Sequence, residues 1–494
     1  MTNDKIKFTI TFCKIDCKFF TIISCAKYKM KRDERTMNTV KKVPRKYIYF
    51  FGSFGGILFG YDIGVMTGAL PFLQIDWNMH SAFWEGCITS SLMFGAIFGG
   101  MLAGHLTDKI GRKRVLSFSA LIFIAGSLLS AFAPRNGYIY LSLVRVFLGL
   151  SVGMISATVP NYMSEMTPAK SRGRLSGINF TMIALGTLLS YVVDYFLQYL
   201  PATFAWRTML GMAAVPALIL FLGSLNLPGS PRYLVRNDRI DEARQVLQLV
   251  QPCAQAEKEI QDIQNIKNVE DQSKDQQKLS KMFTGKYRYL VIAGVGVAAF
   301  QQFMGVNAIF YYIPLIVAKA TGHAASSNLM WPVIEGMILV LSSFIFLAIA
   351  DKFNRRTLLI FGGTGMGLAF ILPAVINTMF SHVNPLITII FLCIYVGFYG
   401  FTWAPLTWVI VGEIFPLAIR GKAAGTASAF NWVGAFAVGL IFPLMTASMS
   451  QETVFAIFGV ICLLAVAFVI FKVPETKGHT LEEIERRGVR ESQK

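Results

Sequence analysis

The chain has 494 residues, of which 54% are hydrophobic and only 15% are charged. This composition is too apolar and too sparsely charged for an ordinary soluble domain, and it predicts a membrane protein. The formal net charge of +18 is explained by basic residues that flank apolar segments, so we expect no nucleic-acid partner.

Twelve apolar segments reach the length of about 20 residues that a helix needs to cross a hydrocarbon layer. They are too long for barrel strands, and their residues do not alternate between apolar and polar as those of barrel strands do. The predicted fold class is therefore an all-α membrane protein with twelve transmembrane helices, six on each side of a polar middle. The predicted spans are 47–70, 84–105, 115–133, 138–163, 174–200, 206–227, 288–318, 328–350, 357–379, 385–412, 422–447 and 453–472.

The basic residues set the predicted orientation of these spans. Of 46 Lys and Arg residues, all but Arg135, Arg145, Arg207 and Lys319 fall in tails and loops that a twelve-span topology places on one side. By the positive-inside rule, both termini and the central loop are expected in the cytoplasm, across a bacterial inner membrane.

The first residues form a basic tail whose apolar patches are too interrupted for a signal peptide. We expect this tail to lie against anionic lipid; Met30 and Met37 are alternative translation starts within it. The polar middle has helical periodicity over 239–250 and 255–266, which predicts short amphipathic helices at the membrane surface. The predicted organisation is a cytoplasmic tail (1–45), an N-terminal six-helix bundle (46–228), a linker (229–286), a C-terminal six-helix bundle (287–472) and a second cytoplasmic tail (473–494).

Two ionisable side chains lie deep within predicted spans, Asp62 in the first and Arg145 in the fourth. At 1.5 Å per residue both lie roughly 10–15 Å below the outer surface. A charge at such a depth costs at least about 2.5–3.5 kcal/mol, so it requires a partner or a function. Burial disfavours an ionised carboxylate and a nearby guanidinium favours it, so a change in their separation would let Asp62 bind and release a proton. The alternative is a static buried ion pair.

Two further acids lie near the outer ends of their spans. Asp194 lies near the outer end of the fifth span and is expected to reach the lipid headgroups. Glu335 lies only several residues inside the eighth span, where we expect an interfacial position, with a cavity-facing role as the alternative.

The seventh span carries a cluster of amides, Gln301, Gln302 and Asn307, followed by Tyr311. Amides both donate and accept hydrogen bonds, which suits neutral polyhydroxylated molecules better than ions. On an unbroken helix Gln302 and Asn307 would point about 140° apart. A single binding site therefore requires a kink near Gly305.

The tenth and eleventh spans add Trp408, Asn431 and Trp432. Taken singly, each Trp is explained by packing and each amide by an inter-helix hydrogen bond. Together, aromatic faces for the CH side of a sugar ring and amides for its hydroxyls predict a sugar pocket.

One pattern of Glu, Pro, Arg or Lys and Gly occurs twice. Glu165, Pro168, Arg172 and Gly173 recur 248 residues later as Glu413, Pro416, Arg420 and Gly421, and two shorter fragments repeat at similar distances. Such paired repeats indicate an internal duplication, which is typical of transporters. The duplicated charges are predicted to form a cytoplasmic gate of inter-helix ion pairs; the alternative is charge that only sets topology. The predicted gate residues are Asp108, Arg112, Glu165, Arg172, Asp351, Arg355, Glu413 and Arg420.

The chain has no signature of a metal, cofactor or catalytic site. Its seven cysteines include no CxxC pair and its five histidines show no metal-ligand spacing. No nucleophile and base pair or phosphate loop appears either. We therefore expect no metal, no cofactor and no enzymatic activity.

Eight short motifs occur along the chain in a fixed order. They are Gly60-Tyr-Asp-Ile-Gly64, Gly104 through Arg114, Arg145 with Gly149, Pro160 through Glu165, Pro228-Gly-Ser-Pro-Arg232, Gln301-Gln302 with Gly305 and Asn307, Trp408 with Glu413-Ile-Phe-Pro416, and Pro474-Glu-Thr-Lys-Gly478. In combination these motifs resemble the sugar porter family of the major facilitator superfamily, from about Tyr47 to Glu485. Their order and spacing are most similar to those of bacterial galactose, arabinose and xylose proton symporters.

The resemblance implies the major facilitator fold and alternating access by two six-helix bundles around a central site. Asp62 matches the proton-coupling carboxylate and Arg145 its partner, and facilitative members tend to have Asn in place of Asp62. The positions that match sugar contacts are Gln301, Gln302, Asn307, Tyr311, Trp408, Asn431 and Trp432. Those that match the cytoplasmic charge network are Glu165, Arg172, Arg355, Glu413 and Arg420.

The chain also departs from the family pattern. Phe180 stands where many porters have a sugar-facing Gln, and Thr187 where some members have a second one. Asn354 replaces a Gly, and Gly229 replaces a Glu or Asp. The lost amides leave the identity of the sugar open.

The sequence therefore predicts a monomeric, proton-coupled monosaccharide importer whose partners are sugar, protons and anionic lipid. Alternatives are a proton-independent facilitator of sugars, polyols or inositol, and a non-transporting nutrient sensor.

Overall fold

A computed structural model describes residues 43–167, 172–272, 283, 287–350, 352–380, 384–416, 419–478, 483–484 and 486. The side chains of 172–176 and 265–272 are not included. The predicted basic tail lies almost wholly outside these residues, as do the predicted gate residue Asp351 and the side chain of Arg172.

The part of the chain that the structure describes is helical and contains no strand. Within the described residues, twelve helical spans are long and apolar enough to cross a membrane, as the hydropathy pattern predicts. The first half contains α1 (Arg45–Trp77), α2 (Ala82–Ile110), α3 (Arg112–Ala131), α4 (Tyr138–Glu165), α5 (Arg172–Leu197), α6 (Ala202–Met212) and α7 (Ala214–Leu225). The linker forms α8 (Pro231–Arg236), α9 (Ile240–Val250) and α10 (Cys253–Gln272). The second half contains α11 (Arg288–Phe303), α12 (Val306–Thr321), α13 (Met330–Ile349), α14 (Arg355–Met379), α15 (Pro385–Phe401), α16 (Trp403–Ile414), α17 (Arg420–Ser448) and α18 (Gln451–Lys472).

Three of the twelve predicted spans are broken into two helices each: the sixth (α6 and α7), the seventh (α11 and α12) and the tenth (α15 and α16). The break in the seventh span is at Gly305, whose φ of +90° is readily accessible only to glycine. This confirms the kink that the amide spacing predicts.

Within the first half, α1 and α5 approach each other closely along a stripe of small residues. Glycines recur every fourth position on α1, and each faces the backbone or a side chain of α5. A Cβ at Gly60 would lie only 1.9 Å from the carbonyl oxygen of Ile183. Without side chains between them the two helices pack at backbone contact, as small-residue motifs allow in membranes. The glycines of this stripe are Gly56, Gly60, Gly64 and Gly68.

The two halves pack against each other through α2 with α17, α5 with α13, and α1 with α12. We call the end of the molecule that carries Arg45, Lys472 and the basic loops the basic end, and the opposite end the neutral end. Three hydrogen bonds between described residues join the halves, and all lie in the half of the spans nearer the neutral end. They run from Thr67 Oγ1 to the Phe310 carbonyl (2.5 Å), from Tyr191 Oη to the same carbonyl (3.3 Å), and between Thr89 Oγ1 and Tyr312 Oη (2.5 Å). The described structure is therefore closed at its neutral end.

Candidate functional site

The break between α11 and α12 brings two amides together that an unbroken helix would separate. Asn307, in the first turn of α12, donates from Nδ2 to Oε1 of Gln302 on α11 at 2.8 Å. Gly305 supplies the left-handed residue between the two helices. The two side chains therefore belong to one site.

A third amide, from α17, extends this contact into a network. Asn431 donates from Nδ2 to Oε1 of Gln301 (2.7 Å) and to the Ala298 carbonyl (2.8 Å). Its Oδ1 accepts from Nε2 of Gln302 at 3.2 Å. Asn431 thus connects both glutamines of α11.

The network ends on the second broken span. Gln301 donates from Nε2 to the carbonyls of Trp403 (3.2 Å) and Ala404 (3.1 Å) at the start of α16. Four predicted substrate-binding amides therefore form one continuous chain of hydrogen bonds. Since an amide can donate and accept, and a hydroxyl can do both as well, a sugar hydroxyl could replace any one of these bonds without leaving a buried polar group unpaired.

The three predicted aromatic residues differ in how they relate to this network. Trp432 is buried beside Asn431 and its ring contacts Phe59 of α1, with centroids 5.5 Å apart. Tyr311 is buried on α12, one turn beyond Asn307. Trp408 is 42% exposed on α16 and makes no hydrogen bond or ring contact with the described residues. Phe59 was missed at the sequence level, because nothing in its local pattern separates it from other apolar residues of the first span.

Asp62 and Arg145 are both only 1% exposed, so both are fully buried as predicted. They do not form a direct ion pair: the described residues contain no N–O contact within 4.0 Å between them. Oδ2 of Asp62 and both Nε and Nη2 of Arg145 have no hydrogen-bond partner within the described part of the chain. Arg145 is nevertheless the charge that acts on Asp62, and both interact electrostatically with Tyr311. In this structure Asp62 and Arg145 are therefore buried near each other without direct contact.

The two positions that depart from the family's amides have structural neighbours instead. Thr187 donates from Oγ1 to the Gly60 carbonyl at 3.1 Å, so its hydroxyl serves the contact between α1 and α5. Phe180 is buried on the same helix.

Among the gate charges whose side chains the structure describes, one Arg–Glu pair is found in each half. Arg112 of α3 lies 3.2 Å from Glu165 of α4, and Arg355 of α14 lies 3.6 Å from Glu413 of α16. Both pairs join helices within one bundle, not helices of different bundles. The internal duplication therefore recurs in the side-chain contacts.

Each of these arginines also binds the end of the preceding helix. Arg112 and Arg355 donate to the carbonyls five residues earlier, at 3.0 and 2.8 Å, and Arg420 does the same at 3.2 Å. Cations are favourable at helix C-termini because they donate hydrogen bonds to the last carbonyls, which have no donor within the helix. Asp108 is the remaining described member, 3.5 Å from Arg112 and 3.2 Å from Arg236.

Glu475 is a charged residue whose role the sequence reasoning missed. Its carboxylate accepts the backbone N–H groups of Arg355 (3.0 Å) and Arg356 (3.1 Å) at the start of α14. The neighbouring Thr476 donates from its hydroxyl to Glu413 at 2.6 Å. The signal was present in the Pro474-Glu-Thr-Lys-Gly478 motif, whose first-half counterpart has Gly229 in place of the acid.

The structure corrects the expectation for Asp194 and Glu335. Both are only 1% exposed, so neither reaches headgroups or an interface. Gly68 of α1 packs against Asp194, and Gly336, next to Glu335, packs against Leu188 and Tyr191 of α5. No cluster of three or more metal-ligating side chains occurs among the described residues.

Comparisons with known proteins match this architecture. A family model described as "Sugar (and other) transporter" matches residues 48–487. A D-xylose transporter of Levilactobacillus brevis is 38% identical over 459 residues, covering 90% of this chain and 96% of that protein. The major myo-inositol transporter of Bacillus subtilis is 36% identical over 444 residues, covering 89% and 93%.

A solved structure shows the same fold. The proton:xylose symporter XylE of E. coli, bound to 6-bromo-6-deoxy-D-glucose, superposes with a TM-score of 0.77 at 28% identity, covering 90% of this chain and 98% of that one. The protein is thus an integral membrane protein with the major facilitator fold, and it belongs to the sugar transporter family, with similarity to bacterial sugar–proton symporters.

Proposed function

We propose that the protein imports a monosaccharide, a hexose or a pentose, together with protons, by alternating access across a bacterial inner membrane. The basic end then faces the cytoplasm, as the positive-inside rule predicts. The observation that carries the proposal is the four-amide network at the break of the seventh span, in a chain that also buries Asp62.

The helix α12 provides a physical link between the sugar and the proton. It carries Asn307, which contacts Gln302, and Tyr311, which interacts with Asp62 and Arg145. It also carries Phe310, whose carbonyl accepts two of the hydrogen bonds that close the neutral end. A sugar that displaces Asn307 from the amide network therefore acts on the same rigid helix that contacts the proton site and the closure.

Asp62 has the properties that a coupling group needs. A buried carboxylate without a contacting cation is unfavourable as an anion, whereas approach of the always-charged Arg145 would stabilise the anion. We infer that protonation of Asp62 accompanies one arrangement of α12 and deprotonation the other. The Arg–Glu pairs at the basic end would then hold each bundle rigid while the bundles rock against each other.

A proton-independent facilitator of sugars, polyols or inositol is the second candidate. It is favoured by Phe180 and Thr187, which remove amides from the fifth span, and by the similarity to the myo-inositol transporter. A non-transporting sensor is a third candidate, and it would bind sugar without flux.

Uptake into proteoliposomes separates these candidates. The panel contains pentoses, hexoses, inositols and polyols, each measured with and without an imposed pH gradient, acidic outside. Symport predicts accumulation above equilibrium only with the gradient. Asp62→Asn should abolish accumulation and leave sugar exchange.

Asp76→Asn is the matched control for this variant. Asp76 is a buried acid on the same helix, but its oxygens accept from Thr203 Oγ1 (2.8 Å) and Trp206 Nε1 (3.0 Å). Its loss should leave accumulation intact. Uptake that never exceeds equilibrium would reject symport, and no transport of any compound would reject the sugar assignment.

A further inference from the structure

Two buried acids outside the sugar and proton sites form no side-chain hydrogen bond or ion pair with the residues that the structure describes. Asp194 on α5 and Glu335 on α13 are each 1% exposed. All four of their carboxylate oxygens lack a hydrogen-bond partner among the described residues. They lie on α5 and α13, two helices of different bundles that pack against each other.

The surroundings of Asp194 contain phenols and no described cation. Gly68 of α1 makes room for its carboxyl group, since a Cβ at that glycine would lie 2.3 Å from Asp194 Oδ2. The titratable groups that face it are Tyr61 of α1 and Tyr191 of its own helix. No basic side chain of the described residues acts on it.

The surroundings of Glu335 are similar. The titratable groups that face it are Tyr191 of α5 and, from α15, Cys393 and Tyr395. No basic side chain of the described residues acts on it either. Tyr191 therefore faces both acids.

An ionised carboxylate in either place would be buried without a donor or a counter-charge, which costs several kcal/mol or more. A neutral carboxylic acid avoids most of this cost. The closed arrangement of the neutral end thus requires both acids to be protonated.

Tyr191 connects the two acids with the hydrogen bonds that close the neutral end. Its hydroxyl donates to the Phe310 carbonyl of α12 at 3.3 Å, one of the three hydrogen bonds between the bundles. Its ring also contacts the position of Gly336, beside Glu335, where a Cβ would lie 3.0 Å from Tyr191 Cδ2. Separation of α5 from α13 would break these contacts and admit water to both acids.

We propose that Asp194 and Glu335 form a second proton-binding site, distinct from Asp62, and that both must be protonated for the bundles to close at the neutral end. Each carboxylate takes one proton from water on closure and returns it to the same side on opening. These protons therefore regulate the transport cycle without crossing the membrane. The inference rests on the alternating access of the proposed function.

The proposal makes closure depend on pH with a defined sign. The closed state holds protons that the open state can release, so closure is favoured at low pH and lost as pH rises. One such proton changes the ratio of open to closed molecules by up to about tenfold per pH unit, and two by up to about a hundredfold.

Spin labels at Asn136 and Ser327 report this ratio directly. Both residues are exposed at the neutral end, one in each bundle, and their separation is measured by double electron–electron resonance without sugar, from about pH 5 to about pH 9. The labels are placed in the full chain after removal of the native cysteines. The long distance should gain population as pH rises. In the double variant Asp194→Asn, Glu335→Gln the short distance should persist at every pH, whereas Asp76→Asn should behave as the parent.

If the double variant does not fold, the test uses the two single variants and compares their infrared spectra with that of the native chain. Each single variant should remove one protonated-carboxyl band from the low-pH spectrum and reduce the pH slope. Three results would overturn the proposal: a distance between the labels that does not depend on pH, a pH slope that neither Asp194→Asn nor Glu335→Gln changes, or a distance that responds to Na⁺ instead of pH. The readout needs no sugar, so failure of sugar uptake with a retained pH slope would reject the proposed function alone.

Discussion

Replacing Asn431 by Ala should weaken sugar binding more than any other single amide substitution in the site. Asn431 connects both glutamines of α11, with hydrogen bonds of 2.7 and 3.2 Å, and a third bond of 2.8 Å to the Ala298 carbonyl. Inter-helix hydrogen bonds in membranes average about 0.6 kcal/mol, so the loss of three costs roughly 2 kcal/mol of stability.

The loss in sugar affinity should be of similar size. A hydrogen bond to a buried site contributes about 0.5–1.5 kcal/mol, and Asn431→Ala removes one donor and one acceptor while it releases Gln301 and Gln302. A loss of about 1.4–2.8 kcal/mol corresponds to roughly a ten- to hundredfold higher Kd. Kd is measured by quenching of tryptophan fluorescence, and stability by thermal unfolding in detergent.

Asn377→Ala is the matched control. Its amide makes one side-chain hydrogen bond, to Thr388 Oγ1 at 3.2 Å, between α14 and α15. It should lower stability slightly and leave Kd unchanged. If Asn431→Ala lowers stability but leaves sugar affinity at the control's value, the network is structural and the binding-site reasoning is wrong.

Three further substitutions test the fold and the gate. Gly305→Ala should lower the unfolding temperature more than Gly322→Ala; both have positive φ, but only at Gly305 would the new methyl group lie 2.7 Å from a phenylalanine ring. Equal shifts in the unfolding temperature would show that contact with the phenylalanine ring does not add to the destabilisation. Glu475→Gln should cost about 0.5–2 kcal/mol in thermal unfolding, because its carboxylate accepts the backbone N–H of Arg355 at a helix start; an unchanged transition would contradict this. Glu413→Gln removes the ion pair with Arg355 and should slow sugar exchange, measured as counterflow, whereas unchanged counterflow would argue that this charge only sets topology.

Sequence periodicity predicted the spans because a membrane helix must be apolar over nearly its whole length. The break at Gly305 was also predictable, since Gln302 and Asn307 can share a site only if the helix between them is interrupted. The partner that completes the network, Asn431, was identified by residue type. Its bonds to both glutamines depend on how α17 packs against α11, which no local pattern specifies.

The depth of a residue along its own helix was a poor guide to its environment. Asp194 and Glu335 lie near the ends of their spans, which suggested contact with headgroups. The structure buries them because Gly68 of α1 packs against Asp194, and because α5 packs against α13 beside Glu335. Burial of a helix end depends on which helices pack against it, and that is tertiary information.

The charge pairs show the same limit. The duplication predicted matched Arg and Glu residues, and the structure has them paired as Arg112 with Glu165 and Arg355 with Glu413. Sequence could not tell whether the pairs join the bundles or lie within them, because both arrangements use the same residues at the same helix ends.

Simultaneous measurement of sugar and proton flux tests the central claim most directly. Proteoliposomes that contain the protein are prepared without a pH gradient. Sugar is then added outside, so that it enters down its concentration gradient while the external pH is recorded. The account predicts that sugar entry makes the external medium more alkaline, and that Asp62→Asn abolishes the pH change while sugar still equilibrates. Sugar entry without any change in external pH in the unmodified protein would contradict it.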